Sequence, residues 1–78
     1  MTELEHGRNL AELLEACDQP AWRVAMDCDI HPSALSKYQS GARTIHGRHA
    51  GELAHYFGVS IDVILGTEPI PWGWETAE

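Results

Sequence analysis

Long apolar runs are missing from this sequence. None approaches the roughly 20 residues that a membrane-spanning helix needs. The segment from Met1 to Glu5 is acidic and lacks the basic region and apolar core of a secretory signal. We therefore expect a cytoplasmic protein with no membrane partner. The 78 residues also leave room for only one modest core, so we expect no enzyme with its own substrate pocket.

Cysteine is scarce, and groupings of reactive side chains are absent. Cys17 and Cys28 lie on apolar faces of predicted helices, and a reducing cytosol disfavours a bridge between them. No serine or cysteine is predicted beside a histidine with a third group to orient it, which argues against nucleophilic catalysis. His46 and His49 share a helical face, but no carboxylate or thiolate completes a zinc site. We expect no metal and no cofactor, with these histidines facing solvent or phosphate.

Acidic residues are missing from one stretch of an otherwise acidic chain. The formal net charge is -7, which by itself argues against nucleic acid because phosphate binding needs positive potential. The segment from Ile30 to Gly51 nevertheless contains no Asp or Glu, and it carries Lys37, Arg43 and Arg48. This distribution predicts one basic face on an acidic protein. The alternative is that an acid-free stretch of this length arises by chance.

No convincing strand pattern occurs, whereas apolar residues recur at helical spacing. We predict an all-α fold, a compact bundle of about five short helices, followed by an extended Pro/Trp-rich C-terminal arm at residues 67–78. The predicted helices run from Arg8 to between Ala16 and Asp18, from Pro20 to Cys28, from Pro32 to Ser40 and from Ile45 or His46 to Phe57, and a fifth lies between a cap at Ser60 and a stop at Gly66. Their predicted inward residues are Leu10, Leu13, Leu14 and Cys17; Ala21, Val24, Ala25 and Cys28; Leu35 and Tyr38; Ala50, Leu53, Ala54 and Phe57; and Ile61, Ile64 and Leu65.

Local signals define the third predicted helix most sharply. Pro32 suits a first helical position because its missing N–H has no partner there, and His31 is the predicted cap. Gly41 is predicted to end the helix in a left-handed conformation. In the fourth helix Gly47 and Gly51 each cost about 1 kcal/mol relative to alanine, which predicts close approach to another backbone.

The order of these elements resembles the lambda-repressor-like, Cro-repressor-type helix-turn-helix family. The resemblance covers residues 9–66, and its most specific part is the stretch from Phe57 to Gly66, Phe-Gly-Val-Ser-Ile-Asp-Val-Ile-Leu-Gly. It implies a helix-turn-helix domain at residues 1–66. It also implies that residues 21–28 form the scaffold helix and that residues 32–40 form the recognition helix, which enters the DNA major groove.

The resemblance assigns roles to individual positions. It implies base reading by Ser33, Ser36 and Lys37, and contacts to the DNA backbone by His31, Ser40, Arg43 and Arg48. The sequence departs from the family pattern at several positions, and two of these fall at the implied DNA contacts. Ala21 stands where the family often has a phosphate-holding glutamine, and Pro32 stands where a polar base-reading residue is common, so that proline offers only an apolar contact such as one to a thymine methyl group.

Two roles are open for the C-terminal arm. Family members bind two-fold symmetric operators as homodimers, and Ile70, Trp72 and Trp74 could provide that contact or a contact to a protein partner. Alternatively these residues cover the core of their own chain.

The expected function is sequence-specific binding of double-stranded DNA by a transcriptional regulator, a phage or bacterial repressor. The alternative is a protein-interaction module on the same fold, an antirepressor or the partner of another DNA-bound regulator.

Overall fold

Five α-helices and no β-strand make up the described part of the chain, residues 7–71, 73 and 74 of a computed structural model. The helices are α1 (Arg8–Ala16), α2 (Ala21–Asp27), α3 (Pro32–Ser40), α4 (Gly47–Phe57) and α5 (Ile61–Leu65). The prediction of an all-α bundle of five short helices is confirmed; the bounds of α3 are as predicted, and those of the other helices differ by at most two residues. Within this part of the chain, no helix is long and apolar enough to cross a bilayer.

Two helices begin in the same way, with a histidine as the cap. Nδ1 of His31 accepts a hydrogen bond from the backbone N–H of Ser33 at 3.1 Å, as the sequence predicts for the start of α3. Nδ1 of His46 accepts from the backbone N–H of Arg48 at 3.2 Å, which moves the start of α4 to the following glycine. In both rings Nδ1 is therefore the acceptor, and each bond satisfies one of the backbone N–H groups that a helix start leaves without an intrahelical partner.

The core lies where α1 packs against α3 and α5, α2 against α3, and α4 against α5. Most predicted inward residues are buried, but two predictions are wrong: Ala21 is exposed, and the side chain of Ile61 is 48% exposed. Both are the first residue of a short helix. Ile30 and Ile45, which lie in connections before α3 and α4, are buried instead. These two isoleucines anchor both ends of the α3 region to the core.

The glycines of α4 do not have the predicted role. A Cβ atom built at Gly47 or at Gly51 would meet nothing within 4 Å, so the prediction that this helix closely approaches another backbone is wrong. The close approach occurs instead at Gly7, just before α1. A Cβ atom there would overlap the carbonyl oxygen of Tyr38 and lie 2.6 Å from that of Gln39. The start of α1 therefore packs directly against the C-terminal turn of α3.

The described part of the C-terminal arm lies against its own domain. Nε1 of Trp74 donates a hydrogen bond to the carbonyl oxygen of Phe57 at 2.8 Å, and the two rings meet edge to face with centroids 5.9 Å apart. Ile70 and Trp74 are partly buried against the core, as the own-core alternative predicts. The third residue assigned to the arm's contact, Trp72, lies outside the described residues. Asn9 ties the arm to α1 by donating to the carbonyl oxygen of Glu68 at 2.7 Å.

Candidate nucleic-acid interface

α3 has one buried side and one exposed side. Leu35 and Tyr38 are 1% and 2% exposed and fix the helix to the core. Ser33, Ser36 and Lys37, the three predicted base-reading residues, are all exposed on the outer side. These three side chains therefore lie on the exposed side of one helix, whose opposite side packs against the core.

The turn from α2 to α3 sets the direction of α3. Asp29 adopts a left-handed conformation with a φ of 59°, which aspartate tolerates better than most residues other than glycine. The N–H of the next residue, Ile30, then donates to the carbonyl oxygen of Ala25 at 2.8 Å. Since the side chain of Ile30 is only 3% exposed, this turn is fixed both by its backbone and by the core.

The serine at the end of α3 already uses its hydrogen. The hydroxyl of Ser40 donates to the carbonyl oxygen of Lys37 at 3.1 Å and accepts from the N–H of Ala42 at 3.3 Å. Gly41 completes the turn with the predicted left-handed φ, at 78°. A contact from Ser40 to a phosphate, as the resemblance implies, would have to replace the bond to Lys37. In the free protein, Ser40 therefore stabilises the C-terminal end of α3.

The acid-free stretch carries three cations, which lie on α3, in the connection that follows it and on α4. Lys37 and Arg43 are exposed, and neither forms an ion pair with any residue in the described part of the chain. Arg48 differs, because its guanidinium lies 3.9 Å from the carboxylate of Asp29. Both of these side chains are largely exposed, at 72% and 91%, so the pair contributes at most about 1 kcal/mol. It nevertheless places a negative charge beside one of the three cations, which the acid-free stretch of sequence does not reveal.

A tyrosine of α3 and two histidines at the start of α4 form a cluster. The phenol of Tyr38 lies 2.7 Å from Nδ1 of His49, and the rings of His46 and His49 have centroids 5.6 Å apart. Burial lowers the pKa of His49, and the charges of His46 and Arg48 lower the pKa further, while Asp29 acts in the opposite direction. A neutral His49 accepts the hydrogen bond from the tyrosine, so this contact links α3 to α4 when the ring is unprotonated.

The lowered pKa of His49 predicts that acid destabilises the fold. Because the unfolded chain binds this proton more readily than the folded protein, stability is full above the ordinary histidine pKa of about 6.5 and falls as the pH drops below it. We expect the melting temperature of His49→Gln to change less between pH 7 and pH 5 than that of the wild type. Thermal unfolding at matched ionic strength measures this. The control is His55→Gln, at the exposed far end of α4; an equal slope for His49→Gln and wild type would contradict the assignment.

No group of three or more His, Cys, Asp or Glu side chains suited to a metal ion occurs within residues 7–71, 73 and 74. The thiol of Cys28 is buried and donates toward the carbonyl oxygen of Glu52 at 3.8 Å. Burial, together with the charges of Glu52 and Asp27, raises the pKa of this thiol to about 11. The thiol therefore stays protonated near pH 7, which makes it a poor nucleophile.

Comparisons with protein-family models, with curated proteins and with solved structures find no match to this chain. The resemblance to helix-turn-helix repressors stays a prediction that rests on the residue pattern.

Proposed function

We propose that the protein is a sequence-specific DNA-binding transcriptional regulator, a repressor that acts by occupying an operator. The observation that carries this proposal is the outer side of α3. Lys37 and two serines are exposed there, and the helix and the connection that follows it contain no carboxylate, although the chain as a whole has a formal net charge of -7. A rigid helix with such a surface fits the width and the negative potential of the DNA major groove.

Each residue of this surface has a distinct role in the proposal. Lys37 donates to the O6 and N7 acceptors of a guanine, which is a specific contact, while Ser33 and Ser36 donate to or accept from neighbouring bases with less discrimination. Arg43 and Arg48 bind phosphates on either side of the groove and position the helix without reading sequence. Base preference therefore depends mainly on one side chain, and affinity depends mainly on the other two cations.

A single domain of this kind binds DNA weakly. Arg43 and Arg48 neutralise about two phosphates per subunit, which gives a slope of about -2 for log affinity against log salt concentration. We propose that two copies bind together, with their reading helices one helical turn of DNA apart. The exposed Ile61 on α5 is an available contact for such a dimer, since Ile70 and Trp74 are already packed against their own core.

A mobility-shift experiment tests the proposal. Duplexes from the flanks of the protein's own gene are incubated with it at 50 and 150 mM salt, with and without an excess of unrelated competitor duplex. The proposal expects a shift that persists against competitor and weakens as salt rises. A shift that disappears with any competitor would contradict sequence-specific binding.

Removing the charge of Asp29 is expected to strengthen DNA binding. Asp29→Asn keeps a residue that tolerates the left-handed turn, but it frees Arg48 and removes a carboxylate from the edge of the basic face. We expect affinity for any duplex to rise about two- to fivefold, as removal of an exposed charge interaction worth about 0.5–1 kcal/mol implies. Fluorescence anisotropy with labelled duplex measures this change.

The matched control for that variant is Asp27→Asn, which removes a carboxylate from α2 at its ion pair with Arg23 instead of at the basic face. This variant should bind DNA with an affinity closer to that of the wild type. Equal gains for the two variants would show that only the net charge of the protein matters and that the pair between Asp29 and Arg48 has no local effect.

A second candidate function, a protein-interaction module, is favoured by the acidity of the chain outside the basic face. All twelve acidic residues lie outside the segment from Ile30 to Gly51, so most of the surface repels DNA. In this case the partner would be another regulator, as for an antirepressor. The mobility shift distinguishes the two functions, because only the DNA-binding regulator retains a complex against competitor.

A further inference from the structure

An exposed tryptophan stands beside the reading helix. Trp22, in the first turn of α2, has 57% of its side chain exposed. The indole N–H is the only polar group of this side chain, and it has no hydrogen-bond partner within the described part of the chain. A large apolar ring with an unused donor is a typical contact residue rather than a structural one.

The tryptophan is continuous with the outer side of α3. Trp22 and Ala21 form one wall of a recess of about 170 Å³ between the two helices, and Leu35 is at its base. Pro32 and Ser36 form part of the opposite wall. Ser36 is one of the proposed base-reading residues, so a molecule that binds the outer side of α3 also meets the indole.

We propose that Trp22 extends the DNA interface, with its ring against a deoxyribose and its N–H donating to a phosphate oxygen of the strand beside α3. This inference rests on the proposed function. The chemistry of the recess suits a DNA backbone, which combines an apolar sugar face with oxygens that only accept hydrogen bonds. No carboxylate lines this recess. Ser36 and Gln39 supply side-chain donors from α3, and because Ala21 has no polar side chain, the indole is the side-chain donor that α2 adds.

The next exposed apolar residue of α2 does not share this environment. Met26 is 67% exposed, one turn further along, but it lines a different recess together with Asp29 and His31. The carboxylate of Asp29 repels phosphate, so this second recess is less suited to a DNA backbone than the recess beside Trp22. Met26 is therefore a matched control for Trp22: both are large, apolar, exposed and on the same helix.

The proposed contact has a distinctive salt signature. An indole donor is uncharged, so its contact with a phosphate releases no bound counterion, whereas a contact from Lys or Arg changes the salt slope by about 0.9. Loss of the indole N–H should therefore lower affinity equally at every salt concentration and for every sequence. Loss of Arg43 should lower affinity and flatten the slope.

The experiment measures anisotropy of two labelled duplexes, one selected from a random library with the wild-type protein and one of shuffled sequence, between 50 and 200 mM salt. The proteins are the wild type, Trp22→Phe, Trp22→Ala and Met26→Ala. Trp22→Phe should weaken binding to both duplexes about three- to tenfold, the loss of one hydrogen bond, with an unchanged salt slope. Trp22→Ala should weaken binding further, and Met26→Ala should stay within about twofold of the wild type.

The outcomes separate this inference from the proposed function. Since Trp22 is exposed, its variants should melt at the wild-type temperature, which shows that any loss is a lost contact. If the wild type binds DNA and Trp22→Phe binds equally well, the indole contact is overturned and the patch faces another partner, such as a protein. If Met26→Ala weakens DNA binding as much as Trp22→Ala, DNA contacts a general apolar surface, and the specific indole contact is overturned. If the wild type binds neither duplex, the proposed function itself fails.

Discussion

Lys37→Ala is expected to weaken binding to the preferred duplex by about 1–3 kcal/mol and to relax the preference at one base pair. The side chain is exposed on α3, directly after Ser36 and one turn after Ser33, and it forms no ion pair in the described part of the chain. It is the only side chain on that surface that can donate to a guanine with strong discrimination. Competition among duplexes that vary one base pair at a time, each measured by anisotropy, locates the position that this lysine reads.

The matched control for Lys37→Ala is Arg43→Ala. Both variants remove one positive charge from the same face, but Arg43 lies in the connection after α3 and is assigned to a phosphate. This second variant should weaken all duplexes alike and flatten the salt slope by about 0.9 while leaving the order of preferred sequences unchanged. A Lys37→Ala protein that kept the wild-type order of preference would show that the reading surface is assigned wrongly.

Trp74→Ala is expected to lower the free energy of unfolding by about 2–3 kcal/mol. The change removes a partly buried ring from the core and leaves the carbonyl oxygen of Phe57 without its 2.8 Å hydrogen bond. The cost is below that of a fully buried tryptophan because part of the ring is already exposed. Trp74→Phe keeps most of the apolar contact and should lose about 1 kcal/mol, the contribution of the hydrogen bond. Urea unfolding at pH 7 measures both changes.

The same variant separates the two roles considered for the arm. If Trp74 covers only its own core, light scattering should give the same oligomeric state for Trp74→Ala and the wild type under conditions where both remain folded. If Trp74 joins two subunits, the variant should dissociate while the subunit itself keeps its stability. Dissociation without a loss of stability would therefore restore the arm, rather than α5, as the dimer contact.

The sequence predicts α3 well because its limits depend on adjacent residues. A proline after a capping residue and a glycine in a left-handed conformation act within one turn of chain, so His31, Pro32 and Gly41 could be assigned without any knowledge of the fold. The same holds for Ser60, whose hydroxyl accepts from the N–H of Val63 at 3.2 Å and caps α5. The exposure of the base-reading candidates followed from helical periodicity.

Contacts between elements are where sequence-based prediction fails. The approach of Arg48 to Asp29 joins the α2–α3 turn to α4, and no spacing along the chain indicates it. The glycine that a close approach requires is Gly7 and not the pair in α4, because only the packing of α1 on α3 decides which backbone lies nearby. Ile61 is misassigned for a related reason: periodicity gives a helix face, but it does not say how far the neighbouring helix extends.

In vitro selection tests the central claim, that the outer side of α3 reads DNA sequence. Wild-type protein is used to enrich duplexes from a random library at about 100 mM salt, and the enriched sequences are determined alongside those from Lys37→Ala. The account predicts a recurrent wild-type sequence containing a guanine whose preference disappears in the variant. Enriched pools that resemble the starting library, or that are the same for both proteins, would contradict it.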